Sequence, residues 1–136
     1  MAYQGMAARY LENDVLSRSP EWLVPLIYEH LLQNLRRAAK QIEARDTSGR
    51  AASLGKASTL LFELMGTLDA ERGGPIADQL SALYGFLTTE LIDIGRRNDA
   101  RRLERVIGIV SELHEAFRQA AEQVAPRGGT ARAVAV

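Results

Sequence analysis

The sequence predicts an all-α protein, an antiparallel up-down four-helix bundle. Three observations predict it: four helix-length blocks in which apolar residues recur at three- and four-residue steps, short polar or glycine-containing breaks between them, and no run with the two-residue alternation of a strand. Short breaks make successive helices antiparallel neighbours, and helices of similar length joined this way form a bundle. The 136 residues, 46% of them hydrophobic, suit one domain with a real core. The chain divides into an N-terminal apolar segment over 1–18, the bundle over 19–125 and a tail over 126–136. PRGGTARAVAV at the end has no cap, no period and little bulk, so this tail is predicted to be mobile.

The first block begins at Ser19-Pro20, a serine N-cap followed by a proline whose missing amide hydrogen costs nothing at the first helical position. It runs to about Ala44, with Leu23, Ile27, Leu31, Leu35, Ala38 and Ile42 on one stripe. Pro25 falls in its second turn, where a lost hydrogen bond kinks a helix without ending it. RDTSGR, with Gly49, supplies the first turn. The second helix follows from Arg50 to Leu68, facing the core with Leu54, Ala57, Leu61, Leu64, Met65 and Leu68. ERGGP ends it: Gly73 suits the left-handed position after a helix, and Pro75 the first turn of the next.

The third helix, Pro75 to Arg96, offers Ile76, Leu80, Leu83, Leu87, Leu91 and Ile94, with Tyr84 and Phe86 widening its face. GRRND then provides Asn98 or Asp99 to cap the fourth, from Ala100 to Val124. There Leu103, Val106, Val110, Leu113, Phe117, Ala120 and Val124 alternate steps of three and four, the spacing of bundle packing.

Several function classes fall away. Seventeen basic and seventeen acidic residues cancel, so no general field draws in nucleic acid or anionic lipid. With no cysteine there are no disulfides, thiolate nucleophiles or cysteine metal sites. MAYQGMAARYLEND is not a secretory signal, and no apolar run approaches the length of a membrane span, so a soluble cytoplasmic protein without membrane insertion is expected. GRAASLGKA only superficially resembles a phosphate-binding loop: five residues separate Gly49 from Gly55, Ala57 stands where a hydroxyl is needed, and no strand precedes it.

His30 and His114 each lack a glutamate three residues earlier, so the di-iron pairing is absent and no metal site or cofactor is predicted. A phosphotransfer histidine is a minor alternative to a structural one. Carboxylates pair with nearby arginines, as Glu104 with Arg101 and Glu115 with Arg118, in the manner of solvated faces. The clusters Arg36, Arg37, Lys40 and Arg96, Arg97, Arg101, Arg102 have no interleaved aromatics for stacking on bases. No catalytic constellation emerges, and an enzyme is not expected.

What remains is an apolar surplus. Val24, Tyr28, Leu32 and Ala39 form a second stripe on the first helix, with Trp22 near its start, and Tyr10, Leu11, Val15 and Leu16 precede it. Such a stripe either widens the core or lines a groove for a partner helix.

Tyr10 with Val15, then SRSPEWLVPLIYE (17–29), KASTLLFELMGTLDAERGGPIADQLSALYGFL (56–87) and NDARRLERVIGIVSELHEAF (98–117) resemble the flagellar secretion chaperones of the FliS family. The resemblance spans about residues 10–117 in order. Its most telling parts are the tyrosine and valine followed by Ser19-Pro20 and Ile27-Tyr28, the run Leu68 to Ala77, and Leu83-Tyr84. The chain departs from the family pattern at Glu29-His30, Arg18, Pro25, Pro75 and Phe117.

The resemblance implies a cytoplasmic four-helix chaperone that binds the disordered C-terminal segment of flagellin. It would prevent premature polymerisation and deliver the subunit to the flagellar type III export gate, an anti-sigma factor being a further partner of this kind. Cargo that is helical when bound would lay its apolar face in grooves formed by residues such as Trp22, Val24, Tyr28, Leu32 and Tyr84. Tyr10, Leu11, Val15 and Leu16 would form a lid over that site. Burying ~300 Å² of their apolar area gains at most ~7 kcal/mol. Ordering about eight residues costs about 8 kcal/mol, so the lid would be readily displaced. A generic helical adaptor or self-associating bundle shares the periodicity but leaves the glycine and tyrosine motifs without a purpose.

Overall fold

Helix α1, Leu23–Glu43, opens the computed structural model, which describes the backbone of residues 22–135 and the side chains of 22–124. It is followed by α2 (Thr47–Gly66), α3 (Ala70–Arg97) and α4 (Ala100–Ala135), with no strand among the described residues. Each helix packs on its neighbours in sequence and α1 closes on α4, the up-down bundle the periodicity predicts. The α3/α4 seam is the least extensive of the four.

Asp46 starts α2 earlier than expected, because its carboxylate accepts the Gly49 amide hydrogen at 2.9 Å. Gly49 therefore lies inside the first turn rather than in the loop. A Cβ there would collide with the Asp46 carboxylate, so the cap itself demands glycine. The left-handed residue of this connection is Arg45 (φ 57°). At the other end Thr67 Oγ1 donates to the Leu64 carbonyl at 2.6 Å, closing α2 at Gly66 rather than Leu68.

Asp69 then caps α3, accepting from the amides of Glu71 and Arg72. One turn on, the helix kinks at Gly74 (φ 52°, ψ −129°), and Pro75 starts the long arm. Gly74, rather than Gly73, carries the positive φ; Gly73 is held by close packing, since a Cβ there would lie 2.8 Å from that of Ala77. Asn98 and Asp99 divide the last connection between them. Asn98 is the left-handed C-cap of α3 (φ 55°), while Asp99 accepts the Arg102 amide hydrogen at 3.1 Å and starts α4.

Pro25 falls in the first turn of α1, where no intrahelical acceptor exists for its missing hydrogen, so the expected kink has no cause. Ser19-Pro20 lies outside the described residues. Helix α4 continues to Ala135, beyond the end expected at Val124.

The core holds the predicted stripes of α1 and α2, joined by Leu87, Leu91 and Ile94 of α3 and Leu103, Val106 and Val110 of α4. Ile76, Ala120 and Val124 are exposed instead, and Ala121 is buried in place of Ala120. A strict 3,4 alternation repeats every 3.5 residues, whereas a straight helix turns every 3.6. The stripe on α4 therefore drifts by ~20° per heptad, and by its last turns the inward position has moved on by one residue.

Candidate functional site

Tyr28 joins three helices. Its hydroxyl lies 2.7 Å from that of Tyr84 on α3, and its ring stacks on Phe117 of α4 at a centroid distance of 5.4 Å. The ring of Tyr84 is tilted 54° from that of Tyr28, at 6.5 Å. Both hydroxyls are buried, and each satisfies the other across the diagonal of the bundle. Burial pushes both phenols above their usual range, because a phenolate would lose its hydration; for Tyr28 the hydrogen bond to Tyr84 raises it further.

Of the residues singled out in the sequence, Tyr28, Leu32 and Tyr84 are core. They widen the interior rather than presenting a surface. Trp22 and Val24 are half-buried at the start of α1, and Tyr10, Leu11, Val15 and Leu16 lie outside the described residues. The second stripe on α1 is thus spent largely inside the bundle at Tyr28 and Leu32.

Apolar surface remains on α3 and α4 near the Tyr28 cluster. Ile76 (66% exposed) and Phe86 (52%) flank the half-buried Leu80 and Leu83 on the four-three-three spacing of one helix side. On α4 the half-buried Leu113 and Phe117 lead to Val124, 50% exposed. Sequence periodicity assigns Ile76 and Val124 to the core, and only the folded structure reveals them as surface. Since α1 and α3 run the same way, stepping back equally along both from the Tyr28–Tyr84 contact brings Trp22 to the level of Asp78, beside Ile76 and Ala77. Trp22, the first described residue, therefore lies at the end of the bundle that carries this apolar surface.

The opposite end of the α3/α4 seam is polar. Arg102 grips Glu90 with two bonds, Nε at 3.2 Å and Nη2 at 2.6 Å, and also donates to Asp93, which Arg97 approaches at 3.4 Å. Hydrogen bonding from Arg102 lowers the Asp93 carboxyl below its usual range. The dense arginine cluster of the sequence is thereby partly consumed in tying α4 to α3.

His30 is buried, and its carbonyl accepts from Asn34 Nδ2 at 2.9 Å; His114 is half-buried. Among the described residues no group of acidic and histidine side chains is placed to hold a metal, and no helix is long and apolar enough to cross a membrane. The GRAASLGKA segment lies within α2 rather than in a loop after a strand, which removes the geometry a phosphate cradle requires.

Comparison with known proteins matches residues 2–124 to the family model described as flagellar protein FliS. A flagellar secretion chaperone FliS of Salmonella typhimurium is 34% identical over 80% of this chain and 82% of its own length. The protein of the same name from Campylobacter jejuni is 32% identical over 81% and 86%, and that of Bacillus subtilis 30% over 88% and 89%.

Proposed function

Because the chain belongs to the FliS family of flagellar secretion chaperones, a family of chaperones rather than enzymes, we propose that it binds the disordered C-terminal segment of flagellin in the cytoplasm. Binding there keeps flagellin from polymerising and holds it ready for delivery to the flagellar type III export gate; an anti-sigma factor is a second candidate partner. The observation that carries the placement of the site is the apolar surface left along α3 and α4, where Ile76, Phe86 and Val124 are half or more exposed above a rigid aromatic base. A flagellin segment that becomes amphipathic on folding covers such a surface, and the burial offsets the entropy lost in ordering it. Tyr28 and Tyr84 act from beneath, fixing the spacing of α1, α3 and α4 so that the surface keeps its shape.

Residues 1–18 extend this proposal. Trp22, the first described residue, lies at the level of that apolar surface, and Tyr10, Leu11, Val15 and Leu16 supply the chemistry of a displaceable lid. Titration calorimetry with a flagellin C-terminal peptide tests both points. Saturable binding by the full chain, with no heat from flagellin truncated of that segment, supports the cargo assignment, and equal heats from both forms overturn it. Removing residues 1–16 shifts the affinity if they are a lid or a contact, and unchanged affinity removes them from the site.

A further inference from the structure

A second apolar surface lies on the other side of α3, and it is independent of the cargo assignment. Between α2 and α3 runs a cavity of about 310 Å³ whose floor is Leu54 and Leu91. Its α2 wall is Ala51, Gly55 and Ser58, and stepping one more turn along that stripe reaches Phe62, 59% exposed. Ile92, 60% exposed, and Gly95 form the α3 wall. Of the five large apolar side chains exposed among the described residues, Phe62 and Ile92 belong here, while Ile76, Phe86 and Val124 belong to the α3/α4 surface.

The α3 stripe that lines the cavity with Ile92 and Gly95 continues beyond it through Thr88 to Gly85, at steps of three and four. Glycine weakens a helix interior and needs a reason to be there. At Gly95 a Cβ would sit 3.4 Å from Leu54 Cδ1, in contact with the groove's floor. At Gly85 nothing in the described structure lies within 4 Å of that position, and φ is not positive, so neither packing nor backbone conformation within the monomer calls for glycine. Missing side chains along a groove let a second helix backbone approach closely.

The groove's charge is one-sided. Arg50 and Arg96 stand at one end, and no lining residue is acidic. Arg50 spends one Nη1 hydrogen on Asn98, but its Nε is enclosed without an acceptor. Arg96 makes no salt bridge among the described residues, the neighbouring carboxylate Asp93 being engaged by Arg97 and Arg102. Arg96, exposed at the groove and outside the ion pairs of the α3/α4 seam, is the guanidinium that a partner's carboxylate reaches.

We infer that the α2/α3 groove docks an amphipathic helix of a partner protein, with aliphatic residues at i, i+4 and i+7 lying over Leu54 and Leu91 and a carboxylate at the Arg50/Arg96 end. A hydrocarbon-stapled peptide of about sixteen residues, long enough to present that pattern as a helix, serves as the probe, with leucines at those positions and a glutamate one turn beyond. Titrated into the full ¹⁵N-labelled chain, it shifts the Gly85 and Gly95 amide signals saturably. A twin carrying glutamine for glutamate binds roughly tenfold more weakly, and so does the Arg96→Glu chain. Gly85→Leu also weakens binding at least about tenfold, although the open space at that position leaves the fold intact. Gly85→Ala is the internal control: it raises the melting temperature through helix propensity yet binds the probe less tightly. Unmoved Gly85 and Gly95 signals, or equal affinity for the two peptides, overturn the inference. So does a chain dimer that Gly85→Leu abolishes, or binding of anionic phosphatidylglycerol vesicles that Arg96→Glu abolishes while peptide binding is absent.

Discussion

At the end of the bundle that carries the 44–46 and 98–99 turns, polar groups are closely matched: Asp46 and Asp99 cap their helices, Arg50 reaches Asn98, and Arg102 clamps Glu90 and Asp93. At the other end the connection through 67–69 leads into a kink at Gly74, and the helices beyond it leave Ile76 and Val124 exposed around the Tyr28, Tyr84 and Phe117 cluster. One end is closed by hydrogen bonds and ion pairs; the other keeps a firm aromatic base and an unfinished apolar rim. A protein that must hold its own shape while accepting an apolar chain needs both, since the rim is useful only if its base does not collapse into it.

Substitutions separate the two ends by size of effect. Tyr28→Ala removes the side chain shared by α1, α3 and α4 and is expected to cost about 3–5 kcal/mol in chemical denaturation, by analogy with other buried aromatic truncations. Tyr84→Phe leaves the Tyr28 hydroxyl buried without its partner, at about 1–3 kcal/mol. The double variant Tyr28→Phe/Tyr84→Phe recovers most of that loss, which a double-mutant cycle measures. At the capped end, Asp99→Ala costs about 1 kcal/mol, the usual worth of an N-cap. Arg102→Met is smaller still in its effect and shrinks further as salt is raised, because these side chains remain a quarter or so exposed.

The ends also differ in their response to pH. The two phenols have folded-state values raised above the ordinary tyrosine range, so their contribution to stability is complete below about pH 10 and is lost as pH rises beyond it. Absorbance at 295 nm should therefore show Tyr28 and Tyr84 ionising together with alkaline unfolding rather than before it. Carboxylates behave oppositely. Asp93 is lowered by hydrogen bonding from Arg102, and Glu115 is lowered to about 2 by Arg118 and Gln119. Their contributions are present above the unfolded carboxylate range and fade as pH falls towards the folded values. Acid denaturation midpoints of Glu115→Gln and Asp93→Asn, compared with the parent chain, check this: both variants should lose less stability than the parent on acidification through that range.

The helices, their order and most of the core were legible from the sequence because apolar spacing and turn residues act locally; Ile27, Leu31, Leu35 and Ala38 of α1 show this, recurring at helical steps in the chain and lying together in the interior. Three kinds of feature were not. Which of Gly73 and Gly74 takes the positive φ depends on where the kink falls, and the two adjacent glycines are equivalent in the sequence. Ile76 and Val124 lie near the end of the bundle, and a period cannot tell a buried end turn from an exposed one. Tyr28 and Tyr84 stand out as motif residues in the sequence, yet their hydrogen bond spans 56 positions and could only be found by folding the chain.

If, as proposed, flagellin's C-terminal segment binds the apolar rim of α3 and α4, calorimetric titration of that segment into Ile76→Glu and Ile92→Glu chains distinguishes the rim from the α2/α3 side. Both positions are exposed, so neither charge is forced into the core. Placing a carboxylate on the rim at Ile76 should weaken binding at least about tenfold, whereas the same change at Ile92, on the α2/α3 side, should leave the affinity within about twofold. Unchanged affinity in the Ile76→Glu chain, or a loss confined to Ile92→Glu, would place the flagellin segment elsewhere.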